Sequence, residues 1–149
     1  MTTTRPTSRP RRVLIIDADR RVRTSLSSVL SLVPGVEVVG AVGDPEAALA
    51  ILEAANVDVV AIDPRLPDID SGLGMLAELR RQRPGIRIVV MSCDPIEAPS
   101  FLGGADAFAS KDGATTEFVD AVVGERGPFA RLAAPVIAGD VALAVDPLV

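Results

Sequence analysis

Four short runs of apolar residues, each closing on a polar side chain, constrain this chain more than any other feature. They are Val13-Leu-Ile-Ile-Asp17, Val57-Asp-Val-Val-Ala-Ile-Asp63, Ile86-Arg-Ile-Val-Val-Met-Ser92 and Ala105-Asp-Ala-Phe-Ala-Ser-Lys111. Runs of this length with near-continuous hydrophobicity read as strands buried on both faces, and longer stretches of helical spacing separate them. Strict alternation of strand and helix predicts an α/β fold with a parallel sheet covered on both sides. Open sheets of that kind bind ligands beyond the carboxyl ends of their strands. Two acids, one hydroxyl and one amine are therefore expected to face one pocket, suited to a phosphoryl group.

The punctuation between the runs agrees. Asp19 is expected to cap a helix to about Val33, with Val22, Leu26, Val29, Leu30 and Val33 on one face, and Pro34-Gly35 stops it. A further strand follows over Val36–Val42. Asp44-Pro45 then places an N-cap before a proline at the first helical position, opening a helix to about Ala55. Strand three is expected over Asp58–Ile62, and Asp70 or Ser71 to open the next helix, to about Gln82, with Leu73, Leu76 and Leu79 inward. Strand four is expected over Ile86–Met91. Between it and a fifth strand at Ala107–Ser110, Asp94-Pro95 starts a helix that Pro99 and Gly103-Gly104 keep short. Thr115 or Thr116 is expected to cap the last helix, with Phe118, Val119, Val122 and Val123 inward, ending at Gly124.

Composition narrows the chemistry. The chain has 149 residues, 48% of them hydrophobic, which suits one domain plus tails. It has no histidine, so His-based triads, imidazole metal sites and His general bases are excluded. A single cysteine, Cys93, forms no internal disulfide and suits a reducing, cytoplasmic setting, and no apolar run is long enough for a membrane span. Residues 1–12 carry four arginines and no acid, which leaves eleven basic against twenty acidic residues in the rest. The acidic body argues against direct nucleic-acid binding. Residues 1–11 read as a solvated basic arm, residues 12–123 as the folded domain, and 124–149 as an apolar tail or linker, shorter than a helix-turn-helix module.

Against fourteen arginines there is one lysine, Lys111. A compact, flexible ammonium and a planar guanidinium are not equivalent for gripping a small anion, so the exception points to chemistry. Asp17 alone could be a cap or turn former, Ser92 structural, and Phe108 simple core. A lone lysine and a hydroxyl beside two acids are not explained by capping.

In order and spacing, "VLIIDAD", "VDVVAIDPRLPDID", "IRIVVMSC" and "GADAFASKDG" resemble the receiver domain of bacterial two-component response regulators. "DPRLP", "GADAF" and "SKD" are most similar to receivers of the NarL/FixJ type. The resemblance covers about Arg12 to Val123 and implies a flavodoxin-like, doubly wound five-stranded fold of the CheY kind. It implies that the chain is a signalling phosphoprotein and not an enzyme, with a histidine kinase or phosphotransfer protein as partner and a second copy as a candidate dimer partner. It further implies Asp63 as phosphoacceptor, with Lys111 and Ser92 binding the phosphoryl oxygens. Asp17, Asp63 and the carbonyl of Arg65 would hold Mg²⁺, with Asp19 a further candidate ligand, and Ser92 and Phe108 would form the switch pair.

Four features depart from the family pattern. Ala18 stands where a second acid commonly binds the metal, which predicts weak Mg²⁺ affinity. Pro64 lacks the N–H that the family can offer the phosphoryl group. Ser71 replaces a usual glycine, with Gly72 one residue late, and the helix after Ser92 is shortened. Two other readings therefore stand beside the first. One is a degenerate receiver that binds a partner without phosphorylation. The other is a phosphatase similar to the haloacid dehalogenases, with Asp17 as nucleophile and Asp19 as general acid.

Overall fold

The computed structural model describes residues 9–66, 68–93 and 104–124. Most of the arm, the short helix expected after Asp94 and the apolar tail after Gly124 lie outside the described residues. The elements are β1 (Arg11–Ile16), α1 (Arg20–Ser31), β2 (Val36–Val42), α2 (Pro45–Ala54), β3 (Val59–Ile62), α3 (Ile69–Gln82), β4 (Arg87–Ser92), β5 (Ala107–Ser110) and α4 (Thr115–Val123). All five strands are parallel, in the order β2-β1-β3-β4-β5. This is the flavodoxin-like arrangement, and it sets β1 and β3 side by side at the centre.

The central strands are hydrophobic on successive residues because both faces are covered. Val13 through Ile16 and Val59 through Ile62 are fully buried. Leu14, Ile16, Val60 and Ile62 pack with Leu52 of α2 and with Leu76 and Leu79 of α3. Val13, Ile15, Val59 and Ala61 pack on the opposite side with Leu30 of α1 and with Phe118, Ala121 and Val122 of α4. Each such aliphatic side chain is worth about 1.5–3 kcal/mol relative to exposure, so the two half-cores hold the sheet.

Two caps fall where the sequence places them. Asp19 accepts from the Arg21 N–H and Asp44 from the Ala47 N–H. The third helix begins earlier than expected. Its N-cap is Asp68, whose carboxylate accepts from Ser71 N at 2.8 Å, so Asp70 lies in the first turn, where the helix dipole favours an acid. At α4 the N-cap is Ala114, with no side-chain bond, rather than Thr115 or Thr116. Val123 is also exposed, contrary to expectation, and Ala121 takes the inward position. Val123 lies about 140° around the helix from Phe118, whereas Ala121 and Val122 complete its i, i+3, i+4 face.

Each of the two central strands delivers its polar end to one edge because the parallel ladder continues one residue past the last paired position. Asp17 N donates to Val42 O at 3.0 Å and Asp63 N to Ile16 O at 2.9 Å. At the amino end, β1 starts at Arg11, and Arg9 pairs with Asp58 at 2.8 Å, so the end of the basic arm joins the domain.

Candidate functional site

Asp17 is 1% exposed. Its Oδ1 accepts from the Asp19 N–H at 2.8 Å, a tight turn that holds the carboxylate against the sheet edge. Its Oδ2 lies 2.5 Å from Lys111 Nζ as an ion pair. Asp63, one strand over, accepts from Arg65 N at 2.9 Å through Oδ1 and pairs with Lys111 Nζ through Oδ2. One ammonium thus touches both acids. β5 lies two strands from β3, roughly 10 Å, so only a long side chain at position 111 reaches across the end of β4.

Burial lowers the proton affinity of Lys111, but the hydrogen bonds and charges of Asp17 and Asp63 outweigh it and raise the amine above the ordinary lysine value. It is an ammonium throughout the neutral range. The backbone places it: Lys111 N donates to Ser92 O at 3.0 Å, tying the β5 end to the β4 end. Glu117 of α4 accepts from Ser110 N at 2.8 Å and braces the same turn.

Ser92 is 3% exposed and occupies the last position of β4, opposite Ser110. Phe108 pairs with Val90 and packs, half-buried, on the α2/α3 side of the sheet. Side chains two apart on a strand share a face, so Ser92 and Phe108 are diagonal neighbours on one face of the β4–β5 pair. Asp19 is not gathered into the cluster. Its carboxylate caps α1 by accepting from Arg21 N at 2.8 Å. Among the described residues no group of three or more acidic or thiol side chains is spaced to hold a metal ion, and Ala18 adds no donor.

Two acids in contact with one lysine lie beyond the carboxyl ends of a doubly wound sheet, and comparison with known families places the whole domain. The family model of the response regulator receiver domain matches residues 13–123. This chain belongs to that family. This receiver is 32% identical to the signal receiver domain of the response regulator NarL from Mycobacterium tuberculosis, with a TM-score of 0.68 over 78% of this chain and 95% of that one. It is 32% identical over 137 residues to the response regulator GacA of Pseudomonas aeruginosa, covering 89% of this chain and 62% of that protein. It is also 42% identical over 85 residues to a protein-glutamate methylesterase/protein-glutamine glutaminase of Anaeromyxobacter dehalogenans, covering 57% of this chain and 23% of that protein. The chain thus spans about a quarter of that methylesterase and under two thirds of GacA. No helix among the described residues is long and apolar enough to cross a membrane.

Three residues of this receiver, none of them assigned a supporting role from sequence, hold the turns around the cluster. Arg23 Nη1 donates to the carbonyls of Asp17, at 2.8 Å, and Ala18, at 3.1 Å, and so clamps the turn carrying the first acid. Gly43 admits that guanidinium: a Cβ there would stand 2.7 Å from Arg23 Nη1. Gly72 does the same for the loop after Asp63, since a Cβ would fall 1.5 Å from Pro64 O. Gly72 is visible in the sequence only as a displaced family glycine. Arg23 and Gly43 carry no local signal, because their contact joins α1 to the end of β2.

Proposed function

We propose that this receiver accepts a phosphoryl group on Asp63 from a phosphohistidine of a histidine kinase or phosphotransfer protein, in the cytoplasm. The observation that supports this reading is the shared contact of Lys111 Nζ with Asp63 and Asp17 at the carboxyl edge of the sheet. In the transfer, a carboxylate oxygen of Asp63 forms a bond to phosphorus as the phosphorus–nitrogen bond of the donor breaks, and the electron pair leaves on the imidazole. Lys111 gives up its contact with Asp63 and pairs with a phosphoryl oxygen, offsetting charge that the weak carboxylate nucleophile alone could not overcome. The Ser92 hydroxyl donates to another phosphoryl oxygen. Phe108, on the same face, moves with Ser92 and carries the change toward the β4–β5 surface, where a target or a second copy of the chain would read it.

The donors present fit Mg²⁺. They are hard oxygens, and Asp17 offers a buried carboxylate oxygen, Oδ2, whose partner is the flexible Lys111 ammonium. Asp17, Asp63 and the Arg65 carbonyl would hold the ion. When bound, it would neutralise charge on the incoming phosphoryl oxygens. Asp19, engaged in its cap, would have to leave Arg21 N to contribute.

A second reading has an observation of its own. With Ala18 in place of an acid, Lys111 bridges Asp17 and Asp63 and leaves the cluster a single net negative charge, so the closed arrangement holds together without a metal, as a phosphorylation-independent binding module requires. Mg²⁺ titration followed by reaction with acetyl phosphate separates the two. Weak Mg²⁺ binding with uptake of one phosphoryl group supports the acceptor, and no binding with no uptake supports the module. Ala18→Asp should tighten Mg²⁺ binding by about tenfold and speed uptake, because it adds a hard oxygen ligand. Unchanged affinity would show that the shell is already complete. The phosphatase reading finds no support, since Asp19 caps a helix and the family match assigns the chain elsewhere.

Lys111→Arg tests the lysine directly. The variant should keep its fold and charge but slow uptake by about 10- to 100-fold, because a longer planar group cannot take the same place between two acids. Wild-type rates in a quench-flow or mass-spectrometric time course would make the lone lysine an accident of composition.

A further inference from the structure

Every polar atom of Asp17 is engaged, and its partners are of two kinds. Its N–H donates to Val42 O at 3.0 Å, its carbonyl accepts from Arg23 Nη1 at 2.8 Å, and Oδ1 accepts from the Asp19 N–H at 2.8 Å. Oδ2 is ion-paired with Lys111 Nζ at 2.5 Å. Lys111 is the partner that must withdraw if it is to grip a phosphoryl group or make way for Mg²⁺. The other three stay, and of those three Arg23 alone contributes a side chain.

Arg23 is tied to that turn at both ends. Its own N–H donates to Asp19 O at 3.1 Å in the first turn of α1, and Nη1 folds back to bond the carbonyls of Asp17 and, at 3.1 Å, Ala18. A planar, permanently charged group bonded to two successive carbonyls restrains both peptide planes. The carboxylate between them therefore keeps its direction when its fourth partner leaves. Gly43, just past β2, supplies the space. A Cβ there would stand 2.7 Å from Nη1, yet 3.5 Å, an ordinary contact, from Asp17 O.

We infer that Arg23 is a positioning residue for Asp17: through the backbone of the β1–α1 turn it holds the carboxylate in place while Lys111 moves away, and Gly43 is the gap that admits it. The purpose of the clamp rests on the phosphoacceptor reading, whereas its existence does not. Gly43→Ala tests it with every charge kept, because the added carbon displaces the end of a flexible side chain rather than backbone. Tm should stay near the wild-type value. In the full chain without divalent cations, amide exchange followed by ¹⁵N NMR should show the Asp19 N–H, which reports on Asp17 Oδ1, exchanging about tenfold faster. Mg²⁺ titrated into the same sample should bind about tenfold more weakly, since removing the support of a metal ligand costs about 10- to 100-fold in affinity. Arg23→Met should speed Asp19 exchange at least as much, and adding Gly43→Ala to it should change nothing more, because no guanidinium is left to displace. If Arg23→Met does not fold, Gly43→Ala decides alone. Wild-type exchange at Asp19 in Gly43→Ala would overturn the inference. So would additive effects of the two substitutions, or faster exchange beside an unchanged Mg²⁺ affinity. A wild type that binds no Mg²⁺ and gains no phosphoryl group would sink the acceptor reading instead, and Asp19 exchange, read without metal, would still decide for or against the clamp.

Discussion

Asp63→Asn should take up no phosphoryl group from acetyl phosphate and Mg²⁺ under conditions in which the wild type gains one that hydroxylamine removes. The carboxamide has nearly the same shape but lacks the anionic oxygen that must bond to phosphorus. The fold should survive the change because Lys111 keeps Asp17, its deeper partner, and the cost is about 1–2 kcal/mol for one weakened charged contact. Intact-mass measurement with peptide mapping checks both the loss and the position. A phosphoryl group mapped to Asp17 or elsewhere in the wild type would overturn the assignment of Asp63, and uptake by the asparagine variant would do the same.

Gly72→Ala should destabilise the domain and slow phosphoryl uptake, whereas Gly74→Ala, two residues along the same helix, should stabilise it. Both changes favour the helix by about 0.5–1 kcal/mol, because alanine gives up less backbone freedom than glycine. At Gly74 nothing lies within 4 Å of the added carbon, so the gain is realised in full. At Gly72 the carbon falls 1.5 Å from Pro64 O, and the obstacle is backbone rather than the end of a flexible side chain. Either α3 or the loop after Asp63 must shift, and overpacking of this kind costs about 1–3 kcal/mol. The upper part of that range applies here, so the net loss should be about 2 kcal/mol, or about 6 °C in Tm. Thermal denaturation of the pair measures the contrast. Pro64 is adjacent to Asp63, the proposed acceptor, so the uptake rate should fall for Gly72→Ala and stay unchanged for Gly74→Ala. Equal and favourable shifts in Tm would show that the loop after Asp63 yields freely.

The four strand ends were legible because their signals are local. Continuous branched hydrophobicity marks a strand buried on both faces, and the first polar residue after it marks the edge. Asp17, Asp63, Ser92 and Lys111 could be named from that pattern alone, as could the caps Asp19 and Asp44, whose side chains act within three residues of their own position. The two caps that went elsewhere, at Asp68 and Ala114, are in segments offering several competing capping residues a few positions apart, where loop geometry chooses among them. The identity of the residues at the strand ends therefore came from sequence, and much of their mechanical support did not.

Strand order belongs to the tertiary structure. Nothing local says that β1 lies between β2 and β3, yet this places Asp17 beside Asp63. Likewise the separation of β5 from β3 by one strand requires a long side chain at Lys111, which a list of motifs cannot convey. Arg23 with Gly43 and Gly72 with Pro64 are contacts between separate elements, made when helices and loops pack on a sheet already formed. By itself the sequence determined which residues end the strands, because period, burial pattern and capping are short-range properties of the chain. Only the tertiary structure decided which of those ends meet and what holds them, because packing and charge pairing act through space and leave no periodic trace along the chain.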